Sequence, residues 1–154
     1  MSLAKDKQDD GSRPLYADDV YGWALEQARL LRMGRFGELD LPNLADEIES
    51  LGSEQLHALE SSYRVLIVHL LKWQYQPERR SRSWDLTIVR ERHHVERREA
   101  RNRALHASAG SIIADIYPQA VREAAKETGL SRAVFPETCP WTAAQLRDPD
   151  FMPE

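Results

Sequence analysis

Three side chains of the types that do acid–base or metal chemistry fall where helices can bring them together. His69 is the only polar residue in the run Val65-Leu66-Ile67-Val68-His69-Leu70-Leu71. A buried imidazole needs a hydrogen-bond partner, and a carboxylate on a neighbouring helix supplies one. Glu47 lies at the edge of the apolar face formed by Leu41, Leu44, Ile48 and Leu51, and Glu91 falls in the same sector as Ile88 and Val95. The spacing therefore admits convergence of Glu47, His69 and Glu91 between three helices, in the manner of carboxylate–histidine sites in helical bundles. Such a trio either holds a divalent metal, performs acid–base catalysis, or is a satisfied polar network of the core. No two of the three share a helix at i, i+3 or i, i+4, so no cofactor is assigned. His93 and His94 point about 100° apart on a helix, which suits a solvated pair better than one metal ion.

A second group of residues suits anion recognition. Trp73 and Trp84 flank the connector that carries Arg79, Arg80 and Arg82. Arginines beside aromatic rings are what phosphate contact and base stacking require. Nine arginines fall between Arg79 and Arg103, interleaved with acidic residues. Arg92–Glu96 and Glu99–Arg103, at i, i+4, read equally well as surface pairs. The net charge of −4 hides a strong polarity. Residues 1–62 hold 6 basic and 13 acidic side chains, residues 63–105 hold 11 and 5, and residues 106–154 hold 4 and 7. This pattern implies either internal pairing or a basic face for an anionic partner. The overall pI of about 5.8 makes nucleic acid the less favoured partner.

The familiar catalytic signatures are missing. There is no Gly-rich phosphate loop, no His-Glu-x-x-His, no Gly-x-Ser-x-Gly and no Cys-x-x-Cys. The single cysteine, Cys139, excludes an intramolecular disulfide and reads as a packed small hydrophobe. The first residues are polar and acidic, and no apolar run approaches the roughly 20 residues of a membrane span. A cytoplasmic protein without a membrane partner is the expectation.

The elements that must position these residues are helices. Residues 1–15 read as a disordered segment, and residues 16–154 as a single helical domain. A first helix starts after a cap at Asp18 or Asp19 and ends at Gly34. A short second helix, capped by Asp40, buries Leu41, Leu44, Ile48 and Leu51 and stops at Gly52. Ser53 then caps a third, central helix over about 54–75, apolar nearly all round in its second half. A fourth covers about 84–105 with a thin stripe of Trp84, Ile88, Val95 and Leu105. After a turn at 106–111, a fifth runs over about 112–128, kinked or started by Pro118 and closed by Gly129. The tail is irregular and rich in proline and aromatics, with a helical turn at about 142–147. No segment alternates with period 2. The fold class is an all-α bundle of about five helices.

The chain also carries Tyr21-x-Trp23; Leu39-Asp40-x-x-Asn43-Leu44-x-x-Glu47-Ile48-Glu49-x-Leu51-Gly52; His69-Leu70-Leu71-Lys72-Trp73-Gln74; Trp84-x-x-Thr87-Ile88; and Phe135-Pro136-x-x-Cys139-Pro140. In this ordered combination it resembles the bacterial family called domain of unknown function number 29, over about residues 16–153. It departs at Ser108-Ala109-Gly110, where that family usually reads Pro-Ser-Leu. The resemblance implies a small bacterial helical protein with Glu47, His69 and Trp73 inside the family signature, and implies no activity, substrate or cofactor. With no catalytic motif complete, the leading expectation is a non-enzymatic interaction or regulatory module, as a homodimer or with another protein. A metal-dependent or acid–base enzyme at Glu47 and His69, with Glu91, stands second. A nucleic-acid binder on Arg79, Arg80 and Arg82 stands third.

Overall fold

The computed structural model describes residues 13–154, and these are helical with no strand among them. The helices are α1 (Val20–Arg32), α2 (Leu41–Tyr75), α3 (Arg82–Arg101), α4 (Arg103–Ala107), α5 (Ala109–Thr128) and α6 (Ala143–Arg147). The all-α class is as expected. The segment read as disordered, 1–15, falls outside the described residues over 1–12.

Helix ends follow local chemistry at several places. The Asp19 carboxylate accepts from the Gly22 N–H at the start of α1. Ser81, not Ser83, caps α3 through Trp84 N–H. Thr142 and Gln145 form a reciprocal capping box on α6. Gly34 and Gly129 follow α1 and α5 with φ of 69° and 75°, a left-handed conformation that costs glycine nothing.

Elsewhere tertiary packing overrides the local signals. The expected break at Gly52-Ser53 is absent, and the second and third expected helices are one helix of 35 residues. α5 begins at Ala109, so Pro118 sits inside it on an exposed face, and the expected turn at 106–111 shrinks to a bend at Ser108. Burial of Ala109, Ile112 and Ile113 explains the earlier start.

The chain divides into two compact units, residues up to Leu51 and residues Gly52–Glu154. In the larger unit α2 contributes Leu59, Tyr63, Leu66, Ile67, Leu70 and Leu71 to one apolar core. Ile88 and Val95 of α3, the apolar face of α5, and Phe135, Trp141 and Leu146 of the tail complete it. The tail is held by its main chain: Arg92 donates from Nε to Leu146 O (3.0 Å) and from its two terminal nitrogens to Pro149 O and Phe151 O.

The smaller unit is built differently. Between residues 13 and 51 only Trp23, Gln27 and Leu30 are buried. The stripe expected to be buried on α2 is exposed instead: Leu41 by 63%, Ile48 by 68% and Leu51 by 61%. Periodicity shows that a helix is amphipathic, not what covers it. From Leu51 to Gln55 every residue of α2 is exposed, more than a full turn with solvent all round.

Candidate functional site

Glu47 and His69 each have a partner of their own. Both lie on α2, Glu47 in the smaller unit and His69 in the larger. They were expected on neighbouring helices, whereas both belong to one helix. Glu47 instead accepts from the Tyr16 hydroxyl. His69 Nδ1 donates to Val65 O (2.9 Å) one turn back, and burial, the largest influence on the ring, holds its pKa below the usual histidine range. Glu91 is buried and takes Arg90 on one oxygen (3.0 Å) and His94 on the other (3.3 Å). Among the described residues no group of three or more His, Cys, Asp and Glu is placed to hold a metal ion. His69 and Glu91, both in the larger unit, have separate partners.

One arginine of the basic connector is tied to a flanking tryptophan. Arg80 donates from Nε to Trp73 O, and its guanidinium lies 5.1 Å from the Trp73 ring centroid. The Trp84 ring carries Lys72 Nζ at 4.6 Å, itself ion-paired to Glu127 (2.6 Å). Each ring already stacks with a cation of its own chain. Arg79 and Arg82 are exposed.

Two features remain that sequence reading passed over. The first is the apolar surface of the smaller unit. Of the thirteen large hydrophobic side chains exposed among the described residues, ten lie between Leu15 and Leu51. On α1 they include Val20, Tyr21, Leu25 and Leu31, with Ala24 and Ala28 between them, and on α2 they are Leu41, Ile48 and Leu51.

The second is a carboxylate centre on the larger unit. Glu99, 4% exposed, accepts from Tyr63 Oη (2.6 Å), Arg147 Nε (2.7 Å) and Nη2 (3.1 Å), and His106 Nδ1 (3.0 Å). Burial pushes the Glu99 carboxyl up in pKa, and the bonds from Arg147, Tyr63 and His106 outweigh it, so the group lies below the usual carboxylate range. The neighbouring Tyr63 hydroxyl is driven well up by burial and by this bond. Glu99 forms part of the wall of a groove of about 820 Å³, which α3, α4 and the tail line with Val89, His93, Ala100, Arg103 and Arg147 among others. The signal for Glu99 was in the sequence, since it falls in the sector of Ile88 and Val95 as squarely as Glu91 does. It was read as a surface partner of Arg103, whereas its partner is Arg147, 48 residues on.

The family model for the domain of unknown function DUF29 matches residues 15–152. The chain belongs to that family. No curated protein and no solved structure matches it.

Four of the residues quoted above for the family resemblance, Trp23, Asp40, Asn43 and Glu47, share a structural role in the smaller unit. Asp40 accepts from Trp23 Nε1 (3.0 Å) and Asn43 Nδ2 (2.7 Å), while its own N–H donates to Gln27 Oε1 (2.8 Å). Tyr16 packs edge-on against Trp23 at 4.9 Å and reaches Glu47. Trp23, Asp40, Asn43 and Glu47 thus form a polar clasp between the chain before α1, α1 itself and the start of α2. No helix among the described residues is long and apolar enough to cross a membrane.

Proposed function

We propose that the protein is a non-enzymatic interaction module that works as a homodimer, closed over the apolar stripes of residues 20–51. The observation that carries this reading is the exposure of ten large hydrophobic side chains in a segment that buries only Trp23, Gln27 and Leu30. A segment of about 40 residues with so small a core is below the size that folds unaided. The exposed stripes amount to several hundred Å² of apolar surface, more than single scattered residues contribute and approaching the ~800 Å² per partner of a stable contact. In a two-fold contact the same patch meets itself, so charges of opposite sign on it can pair across the axis. Arg32 lies at the end of α1, and Asp46 and Glu49 lie on α2, where no lysine or arginine occurs from Phe36 to Ser62.

Light scattering across a concentration series tests the reading. The wild type is expected at twice the mass of one chain, and Ile48→Glu at one chain mass with its Gly52–Glu154 unit still folded. A wild type that stays monomeric at every concentration, or an Ile48→Glu variant that stays dimeric, overturns it.

A further inference from the structure

The groove beside Glu99 has the features of a site for a small molecule. Its volume of about 820 Å³ is within the usual range for ligand pockets. One wall is small and apolar, from Val89, Ala100, Ala107 and Pro149. Val89 is 55% exposed there, although it stands on a helix whose opposite face is core. The other wall is fixed before any ligand arrives. Glu99 takes four hydrogen bonds, and these hold Tyr63, His106 and Arg147 in place. A site whose polar groups are already oriented loses less ordering entropy on binding.

The charge of the lining selects the ligand. It carries three arginines, Arg92, Arg103 and Arg147, against two glutamates, Glu96 and Glu99, which leaves one positive charge. The arginines are not equivalent. Arg147 is neutralised by Glu99, and Arg92 is spent on three main-chain carbonyls. Arg103 has no hydrogen bond or ion pair from its side chain among the described residues, and it sits exposed at the groove. His106 gives its Nδ1 hydrogen to Glu99, a carboxylate that only accepts, so Nε2 is left for a ligand or solvent. The step from Val89 to Ala100 along α3 is about 16 Å, room for a medium-length acyl chain.

We propose that this groove binds an amphipathic monocarboxylate, with its apolar chain along Val89, Ala100 and Ala107 and its carboxylate on Arg103. One free guanidinium beside an apolar wall recognises one anionic head on an apolar body, and a bidentate arginine suits a carboxylate.

Calorimetric titration of the full chain with decanoate tests this, with 1-decanol as the neutral control. One decanoate per chain is expected, and weaker binding of decanol. Arg103→Gln should weaken decanoate on the order of tenfold and leave decanol unchanged. Ala100→Trp, at an exposed position that a large ring can enter without disturbing the core, should abolish both while the far-ultraviolet circular dichroism stays as in the wild type. Ile48→Glu, which alters the other apolar surface, should leave decanoate binding as it was. No binding of decanoate, decanol bound as well as decanoate, an Ala100→Trp variant that binds normally, or loss of binding in Ile48→Glu each overturns the proposal.

Discussion

A carboxylate as buried as Glu99 stays ionised because three side chains donate four hydrogen bonds to it, two of them from Arg147. Its folded pKa lies below its ordinary value of 4.5. Its contribution to stability is therefore complete above that value and is lost as pH falls through the lower, folded pKa. Glu99→Gln should cost roughly 2–3 kcal/mol near neutrality, because it removes the charge that pairs with Arg147 and turns one of the two accepting oxygens into an NH2 group that faces donors. The urea midpoint of the variant should also fall less steeply than that of the wild type below about pH 4.5. A variant as stable as the wild type, or with the same acid dependence, would mean that Glu99 is not the centre of this network. His69 behaves in the same direction at higher pH. Its depressed pKa makes the folded state stable above the ordinary histidine value of 6.5 and weaker as acid forces a proton onto the ring. His69→Asn should flatten stability between about pH 7 and 5, measured by the same midpoints. At this scale the sequence showed which polar side chains share a face with apolar ones, and Glu91 and His69 are indeed inside or half-inside. It could not show partners supplied from 48 residues away, which is why Glu99 was paired with the wrong arginine.

The helices reveal where local preference prevails and where it yields. Gly34 and Gly129 end helices in a left-handed conformation, whereas Gly52 has no positive φ and α2 passes through it. All three glycines looked alike in the sequence. The difference at Gly52 is that helical residues follow on both sides and the second half of α2 is anchored in the core by Leu59, Tyr63 and Leu66. A Cβ added at Gly52 meets nothing within 4 Å. Gly52→Ala should therefore raise stability by about 0.5–1 kcal/mol, whereas Gly34→Ala should lower it by a similar amount. Thermal unfolding of the two variants distinguishes these outcomes, and a loss of stability in Gly52→Ala would show that α2 is interrupted there after all. The second half of the third expected helix, apolar nearly all round, does lie in the core through Leu66, Ile67, Leu70 and Leu71. The stripe of Leu41, Ile48 and Leu51 was equally legible as a stripe, and its surroundings were not.

At the scale of the molecule the chain is uneven in both charge and packing. Part of the arginine-rich middle is spent on internal ties: Arg64 to Glu123, Arg92 to the tail, Arg98 to the Ser62 hydroxyl. Packing is concentrated in residues 52–154, while residues 13–51 depend on the polar clasp at Asp40 and a very small apolar centre. Limited proteolysis should therefore cut Ile48→Glu first within residues 13–51, leaving a resistant fragment from residues 52–154, and should cut the wild type there more slowly. Equal resistance of both regions in the variant would mean that the smaller unit is stable alone.

The grip of Arg92 on the tail has a consequence for which substitutions the protein tolerates. All three acceptors are main-chain carbonyls, at Leu146, Pro149 and Phe151. Every residue type offers the same carbonyl, so this contact places no demand on the side chains it holds. The demand falls on position 92 alone, where only a planar fork with several donors can reach three acceptors at once. Even lysine, with one ammonium at the end of a flexible stem, cannot replace it. The anchoring is thus indifferent to sequence at one end and exacting at the other.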